Sequence, residues 1–257
     1  MTTLPHLELP FAWREDGELV WLEAKIGSAT AAFSTRLGGV SDGPYHSLNI
    51  GVLTGDRRPR VLENRRTLAA ALGRDPDSVV MGRQVHGTDV QLRRTAPEPG
   101  AELREADAQV ALHPDLTPLV LVADCVPLVL FAPGAVAAVH CGWRGIAGGI
   151  VERAVTALRD HSPDGMSAVM GPGIGPCCYE VGDEVRSAFE RRGLDQTQSG
   201  CLDLQSAIRR ELEDLRVSAG RIHACDLCTS CHPDLFFSHR RDGGVTGRQA
   251  GLAWLSL

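Results

Sequence analysis

The stretch that most constrains the fold of this 257-residue chain is ADCVPLVLFAPGAVAAVHCGWRG, residues 123–145. It contains two apolar runs separated by Pro133–Gly134, a pattern that predicts a buried β-hairpin. Cys125 stands where the first run begins, and His140 stands where the second run ends. In an antiparallel pair the start of one strand faces the end of the next, so we expect Cys125 and His140 to be neighbours. A thiolate beside an imidazole forms either half of a metal site or a nucleophile with its base.

A third candidate ligand is His86, in the segment MGRQVHGTDV. Two histidines and one cysteine would supply three ligands and leave a fourth position open, which is the arrangement of catalytic zinc. Two alternatives stay open. In a cysteine hydrolase Cys125 would attack the substrate, with Asp124 or another carboxylate orienting the histidine base. A structural zinc site in a binding module would need a fourth protein ligand, and the sequence offers no clear one.

Five segments, in chain order, resemble motifs of the YfiH/laccase-domain family: QVHG, ADCVPLVL, AAVHCGWRG, GPGIGPCCYEVGDEV and FFSHRRDGGVTGRQA. That family was long labelled polyphenol oxidase and is now understood as a zinc-containing purine nucleoside phosphorylase with adenosine deaminase activity. The resemblance covers the chain from about Phe33 to Trp254. It implies zinc ligands at His86, Cys125 and His140, the same three residues that the hairpin argument selects.

The resemblance also implies an α/β fold, a single layered α/β/β/α domain over residues 1–257 with a mixed sheet. Apolar residues at helical spacing predict helices between strand-like segments. The predicted helices cover residues 60–72, 145–158, 180–192 and 203–216.

A loop rich in Gly, Ser, Asp and Pro covers residues 34–51. An arginine followed by two glycines suits an oxyanion site, because a guanidinium supplies charge and glycine exposes backbone N–H groups. An ordinary surface loop is the alternative from the residues alone. The family has similar TRxGGVS and SLNxG segments, so the resemblance favours a functional loop. It implies a catalytic role for Arg36 and substrate binding by Gly38, Gly39, Ser47 and Asn49.

The expected substrates are a purine nucleoside (adenosine, inosine, guanosine or methylthioadenosine) and phosphate, and the expected products are the free base and ribose 1-phosphate. Phosphorolysis requires groups that fix phosphate behind C1′, a role that arginines fill through bidentate contacts. Besides Arg36, the family-like motifs contain Arg144 and the pair Arg240–Arg241, of which we assign Arg241 to substrate binding. The alternative role for Arg144 is a structural ion-pair partner at the end of the hairpin.

Deamination of adenosine would use a zinc-bound water, whose pKa falls to about 7, and it also requires a carboxylate that transfers the proton. Neither His86 nor His140 begins an H-x-E motif, so this carboxylate must come from elsewhere. Asp107, Asp124 and Glu180 lie in matching motifs, and we predict catalytic roles for Asp107 and Asp124. A hydrolase acting on a cell-wall-type amide is an alternative for either a zinc ion or a free Cys125.

A multicopper oxidase is the least favoured alternative. Such enzymes hold copper with many histidines in H-x-H pairs, whereas the nine histidines of this chain include no such pair. A single copper ion would still bind a zinc site, because affinity rises from zinc to copper. Copper found after purification would therefore say little about oxidase function.

The remaining composition excludes other classes. The net charge of −6 and the lack of a long basic run argue against a nucleic-acid partner. No signal peptide and no apolar run of about 18 residues is present, so we expect a cytoplasmic protein without a membrane partner.

Eight cysteines include the run Cys225, Cys228 and Cys231. We expect these three to be reduced and metal-free, because no complete ligand set accompanies them in the sequence.

Overall fold

The computed structural model describes residues 4–98, 101–162 and 165–256. Most of its strands belong to two six-stranded sheets, and β11 and β12 form a separate two-stranded ribbon. The strands are β1 (Phe11–Asp16), β2 (Leu19–Ile26), β3 (Ala29–Ser34), β4 (Val79–Val80), β5 (Val90–Arg93), β6 (Ala108–Ala111), β7 (Thr117–Val122), β8 (Val126–Ala132), β9 (Ala135–Cys141), β10 (Ser167–Met170), β11 (Thr197–Gln198), β12 (Cys201–Leu202), β13 (Ile222–Ala224) and β14 (Gln249–Leu255).

Both large sheets are mixed. The first sheet has the order β1-β2-β3-β14-β7-β4, and the second has the order β13-β10-β8-β9-β6-β5. Antiparallel pairs form the centre of each sheet, and the parallel pairs β4–β7, β10–β13 and β5–β6 lie at the edges. The predicted α/β class is confirmed, and the single mixed sheet of the prediction is corrected to two.

The predicted hairpin is confirmed as β8–β9. Val126 pairs with Cys141 and Ala132 pairs with Ala135 around the Pro133–Gly134 turn. Every residue of both strands is buried, because these strands lie in the centre of the second sheet and both faces are covered. A continuous apolar run, rather than an alternating one, is what a strand covered on both faces requires.

The helices are α1 (Arg58–Ala71), α2 (Trp143–Gly148), α3 (Ile150–Arg159), α4 (Asp183–Glu190) and α5 (Leu204–Asp214). Each predicted helix therefore exists, but the one over residues 145–158 is broken. Gly149 adopts φ 93°, a left-handed conformation that glycine reaches at low cost, and this residue separates α2 from α3. At α5 the side chain of Asp203 caps the helix by accepting the backbone N–H of Ser206.

Three apolar clusters hold these elements together. Leu68 of α1 packs on one face of the first sheet with Leu48, Trp21 and other residues. Phe33 of the first sheet packs with Phe131 of the second, so the two sheets share a core. The other face of the second sheet packs against α2, α3 and α5, through residues that include Leu128, Leu130, Ile146, Ile150, Val155, Ile208 and Leu212. No helix within the described ranges has both the length and the apolar character needed to span a membrane.

Candidate metal centre and cleft

The three predicted ligands meet at the end of the central hairpin. His86, Cys125 and His140 each offer a ligand atom, and these atoms lie within 4.8 Å of one another. The Cys125 Sγ lies 3.9 Å from the His86 Nε2, and the two imidazole rings have centroids 4.8 Å apart. The predicted contact between the two ends of the hairpin is therefore confirmed. His86 comes from the loop that precedes β5, so three separate segments form this His/Cys cluster.

Asp107 positions two of the three ligands. Its Oδ1 accepts the Nδ1–H of His140 at 2.7 Å and the backbone N–H of His86 at 3.0 Å. Its Oδ2 accepts the backbone N–H groups of Val85 and Gly87. Because Nδ1 of His140 donates to the carboxylate, Nε2 remains as the atom with a free lone pair. Carboxylate–histidine pairs of this kind fix the tautomer and the ring orientation of metal ligands.

The electrostatics of the cluster favour a thiolate. Burial raises the pKa of Cys125, but the charges of His140 and the hydrogen bonds of both histidines outweigh burial and lower it to about 6. Burial lowers the pKa of His140, but Cys125 and Asp107 outweigh it and raise the value to about 9. Without a metal ion the two groups therefore form a thiolate–imidazolium pair. A metal ion would take the place of the imidazolium proton, because ligation requires the neutral ring.

Gly142 leaves room for the cluster. A Cβ at this position would lie 2.8 Å from Cδ2 of His86 and 3.1 Å from the Cys125 sulfur. Left-handed backbone occurs at His86, with φ 59°, and at Asp124, the residue before Cys125, with φ 88°. Left-handed backbone at non-glycine residues is costly, and it persists where the surrounding contacts enforce it, as at functional sites.

The residues present fit a catalytic metal. Imidazole and thiolate are the ligand types that zinc prefers. Among the residues that the structure describes, no fourth protein ligand joins His86, Cys125 and His140. A structural zinc site would require a fourth protein ligand. Three protein ligands with one open position are instead typical of catalytic zinc.

Asp124 supports the cluster from the other side. Its Oδ1 accepts the Thr229 hydroxyl at 2.6 Å, and its Oδ2 accepts the backbone N–H of Arg240 at 2.7 Å. Asp124 also lines the cleft next to Cys125.

Burial would raise the pKa of Asp107, the other predicted catalytic carboxylate, but its hydrogen bonds from His140, Val85 and Gly87 lower the value below the usual range. The catalytic roles of both aspartates stay predictions.

The cluster opens into a cleft of about 660 Å³, a size typical of small-molecule sites. Its walls carry the aromatic side chains Trp143 and Tyr179 and several aliphatic ones. Burial, with a smaller contribution from Cys125, raises the pKa of Tyr179 to about 12. The phenol is therefore protonated at neutral pH and can donate a hydrogen bond.

The cleft is strongly cationic although the whole chain has a net charge of −6. Among the described residues that line it, the only carboxylate is Asp124, whereas five are arginines: Arg65, Arg83, Arg144, Arg240 and Arg248. The Arg144 guanidinium stacks 4.2 Å from the Trp143 ring centroid. Within the described part of the chain no carboxylate forms an ion pair with Arg144, so the structural ion pair considered above is not formed there.

Arg36 lies outside this cleft lining. Its guanidinium donates to the backbone carbonyls of His46 and Pro233 and lies 4.6 Å from the Phe237 ring centroid. Burial and the nearby Arg241 lower its pKa. The guanidinium thus holds the 34–51 loop against the segment before β14. Its predicted role in phosphate binding stays a prediction.

The other loop residues also make internal contacts. A Cβ on Gly39 would collide with the backbone of Ser47, and Gly38 adopts φ 84° against Leu19. The Ser47 hydroxyl donates to the Arg36 carbonyl. Substrate binding by Gly38, Gly39 and Ser47 stays a prediction, and the structure gives these residues a role in the shape of the loop.

Asn49 connects this loop to the cleft. Its buried amide donates to Thr54 and Asp56, and its Oδ1 accepts the backbone N–H of Arg248 at 2.9 Å. Thr54 and Arg248 line the cleft, so Asn49 positions part of the wall without lining it.

Arg241 is engaged within the protein. It pairs with Asp242 and donates to the carbonyls of Thr229 and Phe236. Its neighbour Arg240 lines the cleft instead and stacks 5.1 Å from the Tyr179 ring centroid. Substrate binding by Arg241 stays a prediction. Arg248 and Tyr179 were not predicted as site residues, although both lie inside motifs recognised in the sequence.

A second group of side chains suited to metal binding includes the two cysteines directly before Tyr179. Cys177, Cys178, Cys228 and Cys231 place their sulfur atoms within 4.8 Å of one another. We call this group the thiol cluster. The expectation that no complete ligand set accompanies Cys228 and Cys231 is therefore wrong, because the two adjacent cysteines of the GPCCYEV segment complete it. Cys225 is not a member, and it packs instead beside the core between the two sheets.

Comparison with known proteins agrees with this geometry. Residues 30–256 match the family described as multi-copper polyphenol oxidoreductase laccase. The chain is 41% identical over 247 residues to purine nucleoside phosphorylase YfiH of Escherichia coli strain K12, an alignment covering 91% of this chain and 96% of the relative. It is 40% identical over 245 residues to purine nucleoside phosphorylase YlmD of Geobacillus stearothermophilus, covering 87% and 89%. The crystal structure of that YlmD superposes with a TM-score of 0.87 at 35% identity, covering 96% of this chain and all (100%) of the other.

Proposed function

The chain belongs to the YfiH/laccase-domain family, and from that premise we propose that it is a purine nucleoside phosphorylase. It would convert adenosine, inosine, guanosine or methylthioadenosine and phosphate into the free base and ribose 1-phosphate. The observation that carries the proposal is the group of five arginines in the cleft beside the His/Cys cluster. Arg83 pairs with Glu105. The other four guanidinium groups outnumber the one lining carboxylate, so the cleft concentrates an anionic cosubstrate.

In the proposed reaction a phosphate oxygen attacks C1′ of the nucleoside. The bond between C1′ and the base breaks, its electron pair leaves with the base, and the base takes up a proton. Positive charge develops on the ribose, so the phosphate must be held close to C1′ by groups that leave its attacking oxygen free. Arg144 suits this role, because its guanidinium is exposed at the cleft and is oriented by stacking on Trp143. Arg248 lines the same cleft and supplies a second cation.

The base would occupy the aromatic part of the cleft. Trp143 and Tyr179 offer ring faces for stacking, and the protonated Tyr179 phenol can donate to a purine nitrogen or oxygen. Arg240 stacks on Tyr179 and donates to the Glu180 carbonyl, which fixes this wall.

We propose zinc as the metal held by His86, Cys125 and His140. A zinc ion would supply a Lewis acid that polarises a substrate oxygen or a bound water. The chain's own part is to orient the ligands. Asp107 fixes the ring of His140 and the backbone of His86, and Asp124 fixes the turn that carries Cys125.

Adenosine deamination is proposed as a lesser activity of the same site. It requires a carboxylate that transfers a proton to the leaving amine. Asp124 is the one carboxylate among the described lining residues, and both of its oxygens already accept hydrogen bonds. This arrangement supports phosphorolysis over deamination.

A cysteine hydrolase acting on an amide is the second candidate function. The observation that favours it is the order Cys125–His140–Asp107, a thiolate beside an imidazole that a buried carboxylate orients. The position of His86 disfavours a cysteine hydrolase. A third donor directed at the same point is needed to hold a metal ion, and it is not needed to activate a nucleophile. Amide hydrolysis by zinc-free enzyme would support this candidate. Copper-dependent phenol oxidation has least support, since the described residues provide only one mixed His/Cys cluster.

The test is chromatography of adenosine incubated with enzyme, with and without phosphate. Phosphorolysis predicts adenine and ribose 1-phosphate only when phosphate is present. Inosine in both samples would instead mean that deamination dominates, and unchanged adenosine would contradict both activities.

The role of the arginines is tested by Arg144→Ala. Losing a bidentate charge-assisted contact costs roughly 1.5–3 kcal/mol, so we expect phosphorolysis to fall by about one to two decades while deamination falls much less. Arg144→Lys should restore only part of the rate, because an ammonium keeps the charge without the fork. Arg36→Ala is the matched comparison. It should lower thermal stability and leave the phosphate dependence unchanged, and the reverse result would assign phosphate to Arg36.

A further inference from the structure

The thiol cluster is assembled by the topology of the second sheet. β10 and β13 are neighbouring parallel strands, so their carboxyl ends lie at the same edge. The loop after β10 carries Cys177 and Cys178, and the turn after β13 carries Cys228 and Cys231. The Cys231 sulfur lies 3.4 Å from the sulfurs of both Cys177 and Cys178.

Backbone contacts hold the two loops together independently of the sulfurs. Gly173 forms a parallel bridge with Cys228. Its N–H donates to the Leu227 carbonyl at 3.3 Å, and its carbonyl accepts the N–H of Thr229 at 2.9 Å. The thiols are therefore brought together by ordered backbone rather than by chance proximity of mobile side chains.

The environment of the sulfurs is that of thiolate ligands. The backbone N–H of Gly175 donates to the Cys228 sulfur at 3.2 Å, and hydrogen bonds of this kind orient and stabilise a metal-bound thiolate. A Cβ on Gly175 would lie 3.3 Å from the Cys177 sulfur and from the Cys228 Cβ, so glycine keeps this approach open. Arg241 donates to the carbonyls of Thr229 and Ser230, between two of the cysteines, and fixes the turn.

The spacing of the sulfurs fits one tetrahedral ion. With zinc–sulfur bonds of about 2.3 Å, the edge of a tetrahedron is about 3.8 Å. The four sulfurs lie within 4.8 Å of one another and the two closest pairs are 3.4 Å apart, so small side-chain adjustments would reach that edge length. Four thiolates without a carboxylate are typical of zinc, and four protein ligands fill a tetrahedron, which is a structural rather than a catalytic arrangement.

We propose that Cys177, Cys178, Cys228 and Cys231 form a tetrathiolate zinc site separate from the His/Cys cluster. The site stabilises one wall of the cleft. Tyr179 directly follows Cys178 and lines the cleft. Thr229 directly follows Cys228, and its hydroxyl holds Asp124, the residue before Cys125. A metal ion here positions these groups without contacting the substrate.

The proposal is tested in a Cys125→Ala background, which removes the thiolate of the other cluster. Native mass spectrometry and metal analysis after zinc reconstitution should find about one zinc per chain. Cobalt in place of zinc should give the intense sulfur-to-cobalt absorption of a tetrahedral thiolate site. Adding Cys231→Ser should weaken zinc binding by roughly 100-fold or more in a chelator competition.

Cys225→Ser in the same background is the matched control, because Cys225 lies in the same sequence run and outside the cluster. It should keep the zinc. If Cys231→Ser does not fold, the exposed Cys177→Ser variant and the cobalt spectrum of the Cys125→Ala protein decide the question. A metal-free Cys125→Ala protein whose remaining seven thiols all titrate as free thiols after denaturation would overturn the proposal. So would zinc that survives Cys231→Ser, or a disulfide between the two loops with no zinc bound.

Discussion

The two cysteine-containing clusters differ in the neighbours of their thiols. Cys125 lies between two imidazoles, whose positive charge and hydrogen bonds lower its pKa to about 6 in spite of burial. Burial and the hydrogen bonds of the neighbouring thiols raise the pKa of Cys177 instead. A histidine supplies a positive charge that stabilises a thiolate, whereas another thiol supplies none. In the thiol cluster burial raises the pKa of Cys228 too, but hydrogen bonds from the backbone N–H groups of Gly175 and Cys231 outweigh burial and lower it. Histidine charge therefore favours the thiolate in the mixed cluster, whereas backbone hydrogen bonds favour it at Cys228 of the thiol cluster.

The two clusters also differ in what surrounds them. The His/Cys cluster lies in the wall of a large cleft, with three protein ligands and an open position. The thiol cluster has four ligands, and none of its cysteines lines that cleft. On the proposed assignments, the first site presents a reactive position to substrate, and the second joins two loops. Three experiments test this division between a reactive and a structural site.

The largest expected difference is in activity. Cys125→Ala removes a ligand of the reactive site, so kcat/KM for phosphorolysis should fall by about 100- to 1,000-fold, the effect of losing several kcal/mol of electrostatic stabilisation. Cys231→Ser should lower kcat/KM by about tenfold or less, because none of the four cysteines of the thiol cluster lines the cleft and the site acts only by positioning its wall. Its main effect should be a lower thermal transition temperature. The division would be wrong if both substitutions abolished turnover in folded protein.

A smaller difference is expected in thiol reactivity. The hydrogen bond with Cys177 lowers the pKa of Cys231, but the contact with Cys178 and burial outweigh it and raise the value to about 11. In zinc-free protein at pH 7, iodoacetamide should therefore modify Cys125 roughly 10- to 100-fold faster than Cys231, the lower nucleophilicity of the Cys125 thiolate included. Mass spectrometry of the modified peptides across pH 5–9 measures both rates. The Cys125 rate should level off above pH 7, and a rate that kept rising tenfold per pH unit would contradict a stabilised thiolate.

The smallest difference concerns the glycines beside each cluster. A Cβ at Gly142 would lie 2.8 Å from the His86 ring, whereas a Cβ at Gly175 would come no closer than 3.3 Å to any atom. Gly142 has φ −82° and ψ 159°, which alanine adopts without strain, so its substitution tests space alone. Gly142→Ala should weaken zinc binding at the reactive site by about tenfold, in the range found when ligand orientation is disturbed. Gly175→Ala should change zinc binding at the thiol cluster by about threefold or less. Equal losses in the two chelator titrations would mean that steric room does not distinguish the sites.

The sequence predicted the contact between Cys125 and His140 because this contact is local. Cys125 and His140 lie at the two ends of one hairpin with a short turn, so strand pairing alone brings them together. The thiol cluster depends on a pair of sulfurs 54 residues apart in the chain. That contact requires β13 to return beside β10 after two intervening helices, and a single sequence does not state strand order.

Contacts between distant parts of the chain also determine where the arginine side chains lie. The phosphate role of Arg36 stays a prediction, and the two glycines that follow it in the loop do not indicate that its guanidinium donates to the carbonyls of His46 and Pro233. Arg248 carries no comparable local signal, and its place in the cleft wall depends on Asn49, 199 residues away in the chain. Periodicity also predicted each helix, but the break at Gly149 follows from a backbone angle that the adjacent glycines permit without requiring. A single domain over residues 1–257 stays a prediction.

The hydrogen bonds of Asp107 have a consequence for metal exchange. One carboxylate fixes the backbone of His86 and the ring of His140, and these contacts form when the protein folds. Two of the three ligands are therefore ordered before any ion arrives, and the ion does not have to recruit them from a disordered loop. A metal site whose ligands are already ordered keeps its shape when one divalent ion replaces another. The cleft beside the His/Cys cluster should therefore have the same form with zinc, cobalt or copper, and any change in rate between these ions reports the electronic properties of the metal.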